Sequence, residues 1–344
     1  MIGYFAACAE LSLQKDLPMT PPSDHSLSRR RFCFLAGTLA FAPAFLSKGF
    51  AASLLENKAS TLPYQLKLQQ MLEPKLTPTR AVGFDSKKRL IAGGGSMVKI
   101  FDAQNALLQE IPVPGTVSTL TIGPDDSIYV GLENRVLCLD TAGKKKTEWG
   151  TSGKEPGQFV FITSLAIMGS FIFAADSGNR RVSRFTVDGD FVDDISGFQV
   201  PSAYFDCAVD TQGVLYVAHT GNHRIEQYDA NRKRVSSWGE FGTAPEKFCG
   251  CCNPIHFSIL PDGKFVTTEK GIVRLKVYDA SGKLLAHLGS EAFKDCSPEN
   301  ASAYLEGPCQ GAGMDVAADR DGRIALATQD GKTIRFYTLE PNKG

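Results

Sequence analysis

The third strand of a repeated unit decides the fold of this chain, and its first copy reads Val98-Lys-Ile-Phe101-Asp102. Five further copies, each ending in an aromatic residue, or leucine in one copy, begin at Val136, Val182, Ile225, Leu275 and Ile334. Successive copies start 38, 46, 43, 50 and 59 residues apart. Apolar stretches between turn residues indicate β-strands, and a period of roughly 40–45 residues is typical of propeller blades. Six copies therefore predict an all-β, six-bladed β-propeller.

The two ends of the repeat indicate how the ring closes. The sixth unit ends at Glu340, which leaves no room for a fourth strand. The stretch Tyr64–Leu72 precedes the first unit and carries apolar residues at Leu66 and Leu68. As a strand it would supply the missing outer strand and hide the edges of an open row of blades; the alternative is a short helix. We expect a linker with this closing strand over residues 52–79 and the propeller over residues 80–344.

Two runs at the start of third strands resemble the core of the NHL repeat. They are Asp176-Ser-Gly-Asn179-Arg180-Arg181-Val182 and His219-Thr-Gly-Asn222-His223-Arg224-Ile225. The linker at 149–159, which begins Trp-Gly and ends Gln-Phe, is similar to that family as well. The resemblance implies a propeller that usually has six blades. It says little about activity, because the same scaffold hosts many functions.

Composition excludes some functions and leaves others open. The 344 residues include 37 Lys+Arg and 37 Asp+Glu, so the net charge is zero. This balance argues against nucleic-acid binding, which depends on neutralising phosphates. The sequence contains no phosphate-binding loop, dinucleotide fingerprint or nucleophile elbow. It therefore does not decide whether the protein is an enzyme, and it leaves the partner, another protein or a redox partner, unidentified.

The N-terminal region resembles a twin-arginine export signal. Ser28-Arg-Arg-Arg-Phe-Cys-Phe-Leu35 is followed by an apolar run over 34–46 and by small residues up to Ala51. This is the order of a secretory signal, and it predicts an exported, periplasmic protein with a signal over residues 1–51. An uncleaved signal would instead anchor the chain to the membrane, and a buried helix is the other alternative. The resemblance also implies export in the folded state, often with a cofactor already bound.

Five cysteines fall in two unusually long loops that we expect on one face of the ring. Cys249, Cys251 and Cys252 lie between the fourth and fifth units, and Cys296 and Cys309 lie between the fifth and sixth. Thiolates at one site would hold an iron–sulfur cluster, or zinc, and would make the protein an electron-transfer or redox-partner module. Disulfides are the alternative in an exported protein; they would staple the loops of a binding or scaffold propeller. Adjacent cysteines rarely bond to each other, so each of the adjacent pair would then bond to a cysteine of the other loop.

Polar residues of the loops between second and third strands should lie on the same face. They are Asn179, Arg180, His219, Asn222, His223, Arg224, Glu269 and Lys270, and His256 joins them at the start of a first strand. They could bind an anion or a partner near the central channel, and His256 could be a further metal ligand. The alternative is structural, with the loop residues fastening blade turns and His256 buried in the core. Cys138 and Cys207 lie within strands, where we expect small buried side chains.

Overall fold

The computed structural model describes residues 62–296 and 314–342, which form six four-stranded antiparallel sheets. The strands of the first three blades, with the closing strand, are β1 (Tyr64–Leu72), β2 (Thr79–Phe84), β3 (Leu90–Gly94), β4 (Met97–Phe101), β5 (Leu107–Pro112), β6 (Thr119–Ile122), β7 (Ile128–Gly131), β8 (Val136–Leu139), β9 (Lys145–Trp149), β10 (Ile162–Met168), β11 (Phe171–Asp176), β12 (Arg181–Thr186) and β13 (Phe191–Ile195). The remaining strands are β14 (Asp206–Val209), β15 (Leu215–His219), β16 (Arg224–Tyr228), β17 (Arg234–Trp238), β18 (His256–Ile259), β19 (Phe265–Glu269), β20 (Arg274–Tyr278), β21 (Leu284–Leu288), β22 (Val316–Ala318), β23 (Ile324–Ala327) and β24 (Ile334–Pro341). Two short 3-10 helices cover Thr220–Asn222 and Ser290–Cys296.

Each sheet is one blade of a ring. The first strands of the blades are β2, β6, β10, β14, β18 and β22, and each packs against the first strands of the two neighbouring blades. These six strands therefore surround a central channel, and the later strands of each blade lie progressively farther out. The predicted all-β, six-bladed propeller is confirmed.

The closing strand is also confirmed. Strand β1 pairs antiparallel with β24, from Tyr64 opposite Pro341 to Leu72 opposite Ile334, with one irregularity near Leu68. The sixth blade thus takes its outer strand from the N-terminal side of the chain, in the order β1-β24-β23-β22. The pairing covers the edge of β24 and joins the two ends of the ring.

The hydrophobic core is divided among the contacts between neighbouring blades. Six buried apolar clusters occur in the described residues, and each draws its residues mainly from two adjacent blades. Strands β3 and β8 are buried along their whole length because a blade covers each of their faces. Outer strands such as β17 are mostly exposed. This gradient explains why the second and third strands give the clearest apolar pattern in the sequence.

Aspartates shape the turn that follows most third strands. The Asp102 carboxylate accepts hydrogen bonds from the backbone N–H groups of Gln104 (2.9 Å) and Ala106 (2.8 Å). The same two contacts recur at Asp140, Asp229 and Asp279. An aspartate that bonds its own downstream backbone favours a tight turn. The repeated aspartates of the sequence therefore serve the hairpins.

The predicted export signal, residues 1–51, lies outside the described residues, as does the linker up to residue 61. In the described part of the chain, no helix has the length and apolarity needed to cross a membrane.

Removing β1 should weaken the ring. A chain that starts at Glu73 exposes the edge of β24, whereas a chain that starts at Leu62 keeps the pairing. We expect the shorter chain to melt roughly 10 °C lower. At about 2–4 °C for each kcal/mol, this corresponds to a loss of about 3–5 kcal/mol in the free energy of unfolding. Differential scanning calorimetry of the two chains checks this. Equal melting temperatures would contradict the role of β1 in closure.

Candidate functional site

The top face is the face at which the outer strand of one blade leads to the first strand of the next. The cysteine loop, residues 249–254, lies on it between β17 and β18. The backbone N–H of Cys249 donates to the Glu269 carboxylate at 2.8 Å. The Asn253 side chain accepts from the N–H of Lys270 and donates to its carbonyl, both at 3.0 Å, and also donates to the carbonyl of Cys249. The loop is therefore fixed to the turn between β19 and β20.

A buried ion pair lies beneath this loop. Lys276 Nζ is 2.5 Å from Glu269 Oε1, and both side chains have 0% exposed surface. Lys276 also donates to the carbonyl of Lys247 at 2.8 Å and lies 4.4 Å from the centre of the Phe248 ring. Burial lowers the pKa of Lys276 to about 8, although Glu269 opposes the shift. The loop thus rests on a carboxylate whose charge is balanced inside the protein.

The described cysteines differ in their surroundings. The Sγ atoms of Cys251 and Cys252 are 3.1 Å apart; Cys251 is exposed and Cys252 is buried. Cys296 is buried, its Sγ donates to the carbonyl of Phe293 at 3.3 Å, and burial raises its pKa to about 11. Cys309 lies outside the described residues, so convergence of all five thiols stays a prediction. Within residues 62–296 and 314–342, no three His, Cys, Asp or Glu residues are grouped to hold a metal ion.

Cys138 and Cys207 are buried within their strands, as predicted, with 1% and 3% of their surface exposed.

His256 stands between two carboxylates at the top of the channel. Its Nδ1 is 3.5 Å from Asp206 Oδ2 and 3.6 Å from Asp315 Oδ1. Asp206 also accepts the backbone N–H of Phe257, and Asp315 accepts that of Val82, each at 2.8 Å. The three side chains come from three consecutive blades, and the contact of Asp315 continues to the first blade. We call Asp206, His256 and Asp315 the channel triad.

The charges of the channel triad depend on one another. Burial raises the pKa of Asp315 to about 6; the nearby Asp206 adds to this and His256 opposes it. Burial alone would lower the pKa of His256, but its hydrogen bond to Asp206 and the charge of Asp315 raise it above its ordinary value. Two carboxylates close together repel, and a positive charge on the imidazole beside them relieves that repulsion.

The triad separates two cavities. His256 lines a cavity of about 140 Å³ at the mouth of the channel, together with Arg80, Glu133 and Tyr204. Asp206 and Asp315 line a larger cavity of about 280 Å³ that runs along the channel below. Charged side chains of both signs therefore face the entrance, and carboxylates face the interior.

Several candidates from the sequence fasten the fourth blade. Gln199 donates its backbone N–H to His219 Nε2 at 2.8 Å, so Nδ1 of this ring carries the proton that is given to Glu226 at 3.0 Å. Arg224 also donates to Glu226, and the amide of Asn222 contacts His219. Burial would raise the pKa of Glu226, but these donors hold it well below its usual range. This arrangement is the structural role that the sequence left open beside ligand binding.

The other candidates occupy different positions on the top face. Asn179 donates to the carbonyl of Gly153 at 3.0 Å and so fastens the preceding linker, while Arg180 is exposed. His223 Nε2 donates to the carbonyl of Gly250 in the cysteine loop at 2.6 Å. Lys270 Nζ lies 4.1 Å from the centre of the Tyr204 ring, near the channel mouth.

Sequence reasoning identified His256 but missed Asp206, Asp315 and Lys276. One signal for the aspartates exists in the repeat. In the pairing of first and second strands, the same register position holds Ala81, Thr119, Ser164, Asp206, His256 and Asp315. Aligning the six first strands would have placed these residues side by side at the channel. Lys276 gave no such signal, because a lysine in a strand usually points to solvent.

A variant can test the ion pair beneath the cysteine loop. Lys276→Met leaves the Glu269 charge buried without a partner, and we expect a loss of about 3–5 kcal/mol in the free energy of unfolding. Adding Glu269→Gln should recover most of it, since the amide still accepts the N–H of Cys249. Urea unfolding measures both, with the exposed Lys283→Met as the control. A loss no larger than that of the control would contradict the buried pair.

The raised pKa of Asp315 makes stability depend on pH. Its folded pKa of about 6 lies above the ordinary 3.8. The folded state therefore binds the proton more tightly, and stability falls as pH rises between about 4 and 6. Asp315→Asn has no carboxyl group to titrate at this position. Its free energy of unfolding, relative to that of the natural chain, should therefore increase by about 1–3 kcal/mol from pH 4 to pH 6. Urea unfolding at successive pH values checks this, and parallel curves would contradict it.

Solved structures share this fold at low sequence identity. A virginiamycin B lyase from Staphylococcus aureus is 14% identical, covering 79% of this chain and 99% of the lyase, with a TM-score of 0.55. A streptogramin B lyase is 12% identical over 80% of this chain and 98% of its own, also with a TM-score of 0.55. A catalytically inactive variant of the Staphylococcus aureus lyase with quinupristin is 14% identical over 79% and 99%, with a TM-score of 0.53. These similarities support the propeller fold.

No protein-family model matches the chain, and no curated protein matches it. The comparisons and the geometry together establish a six-bladed β-propeller whose top face carries the channel triad beside the cysteine loop.

Proposed function

We propose that this chain is an exported binding propeller that holds a small solute with an ammonium group in its channel. The observation that carries the proposal is the channel triad. Asp206 and Asp315 line the larger cavity and share one imidazole, so two carboxylates at the cavity wall have one basic side chain between them. The sequence offered as its alternative a binding propeller with loops stapled by disulfides; this proposal keeps the binding role and does not depend on the staples, and the described cysteines are thiols.

Electrostatics supports a cationic guest. Part of the rise in the pKa of Asp315 comes from the negative charge of Asp206. A second positive charge near these carboxylates would relieve that repulsion, and the attraction is stronger in a partly buried site than in water. The cavity of about 280 Å³ has the volume of roughly nine water molecules, at about 30 Å³ for each. That volume suits a solute of several heavy atoms.

The entrance also fits this proposal. Arg80 and Glu133 are exposed at the mouth, and Lys270 lies beside Tyr204. Mixed charges at a rim orient a polar solute that has a positive end and a negative or neutral end. The solved propellers are lyases, but at 12–14% identity the similarity supports the fold alone. We therefore propose binding, not lyase chemistry.

Calorimetric titration with butylamine, with butanol as the uncharged control, tests the proposal. We expect the amine to bind saturably, the alcohol to bind more weakly, and Asp315→Asn to weaken the amine about tenfold, which corresponds to about 1.4 kcal/mol. At pH 6 the amine should also release protons from the natural chain, because a cation lowers the pKa of Asp315. Equal affinities for amine and alcohol would contradict the proposal.

Export and the relationship to NHL repeats belong to this proposal as predictions of the sequence, whereas the iron–sulfur cluster is the other function that the sequence predicted. The arginines at 29 and 30 support export, and the equivalent linkers at 149–159 and 238–248 support the NHL relationship. Replacing both arginines by lysine should retain the chain in the cytoplasm.

The grouping of five cysteines in two neighbouring loops supports the cluster. Iron and sulfide analysis of anaerobically purified protein tests it.

A further inference from the structure

Two adjacent cysteines on the top face are positioned to react with each other. Cys251 Sγ and Cys252 Sγ are 3.1 Å apart, which is shorter than a van der Waals contact between two sulfur atoms and lets either thiol donate to the other. Cys251 is exposed to solvent, whereas Cys252 has 0% of its surface exposed. Of the two adjacent residues, one is therefore open to solvent and the other is enclosed by the protein.

The surrounding loop holds this pair from both sides. On the N-terminal side, His223 donates to the carbonyl of Gly250 at 2.6 Å, and Glu269 accepts the N–H of Cys249 at 2.8 Å. On the C-terminal side, Asn253 exchanges two hydrogen bonds of 3.0 Å with the backbone of Lys270. Fixing the backbone in advance reduces the entropy lost when two groups react. The sulfurs are thus held together by the fold and not only by adjacency in the chain.

We propose that Cys251 and Cys252 form a thiol–disulfide exchange site whose oxidised form is a disulfide between the adjacent residues. The substrate class is a disulfide. Cys251 as thiolate attacks one sulfur of the substrate, the substrate S–S bond breaks, and one substrate thiol leaves. Cys252 as thiolate then attacks Cys251 Sγ and releases the second substrate thiol. Two electrons and two protons pass from the pair to the substrate, which becomes two thiols.

The different roles of Cys251 and Cys252 follow from their different exposure to solvent. Attack on a dissolved disulfide requires an accessible thiolate, and Cys251 is the exposed member. Cys252 resolves the mixed disulfide because it is within contact distance and shielded from competing molecules. Cys296 is a weaker partner, since its sulfur is buried beside Phe293 and burial raises its pKa. The proposal differs from the disulfide alternative of the sequence, in which each of the adjacent cysteines would bond to a cysteine of the other loop.

Peptide mass analysis tests the site. In Cys249→Ser, the tryptic peptide 248–264 contains only the thiols of Cys251 and Cys252. After equilibration of the folded protein with oxidised glutathione, we expect most of this peptide to lose two hydrogen masses and to resist alkylation until it is reduced. The matched variant Cys249→Ser/Cys252→Ser cannot resolve the mixed disulfide, so it should carry a glutathione adduct on Cys251.

Three results would overturn the proposal. The first is a Cys249→Ser peptide in which both thiols are alkylated, or in which the glutathione adduct persists. The second is a disulfide to the peptide of Cys296 or Cys309, which Cys296→Ser or Cys309→Ser would abolish. The third is tightly bound iron that keeps both thiols from exchange in anaerobically isolated protein. Oxidation that is unchanged in Cys296→Ser and Cys309→Ser supports it.

Discussion

The antiparallel pairing of β1 with β24 is the constraint on which the rest of the structure depends. It converts a row of blades into a ring, in which the sixth blade packs against the first through a shared apolar cluster. Only a closed ring brings the first strands around one axis. The contact from Asp315 to the backbone of Val82 crosses this closure. The channel triad therefore depends on a strand at the opposite end of the chain.

The buried charges of the channel triad are not what the stability of the fold alone would favour. Buried carboxylates lose hydration, and apolar residues of similar size often stabilise a core at least as well. Elsewhere in the ring the same position holds Ala81, Thr119 and Ser164, so the fold accepts small neutral side chains there. A local departure from such a pattern is typical of functional sites. The cysteine loop beside it rests on a second buried charge, the Glu269–Lys276 pair.

The sequence predicted the fold because the relevant signals are local. Strand patterns, turn aspartates and the unpaired stretch Tyr64–Leu72 can each be recognised within a few residues. The site was harder, because Asp206 and Asp315 meet only when three blades come together, and neither stands out in its own strand. His256 was recognised by residue type, and Lys276 was missed because its burial depends on Lys247 and Phe248 in the loop that precedes its blade. The reaction geometry of Cys251 and Cys252 likewise depends on contacts that the loop makes with distant residues.

The most direct test of this account is the pKa of the His256 imidazole, measured by NMR titration. The chain has five histidines, and the resonance lost in His256→Gln identifies the right one. Between two carboxylates, the imidazole should titrate above its ordinary value of 6.5, and Asp315→Asn should lower that pKa. An imidazole that titrates below 6.5, or that ignores Asp315→Asn, would show that the triad does not share its charge and would contradict the proposed channel site.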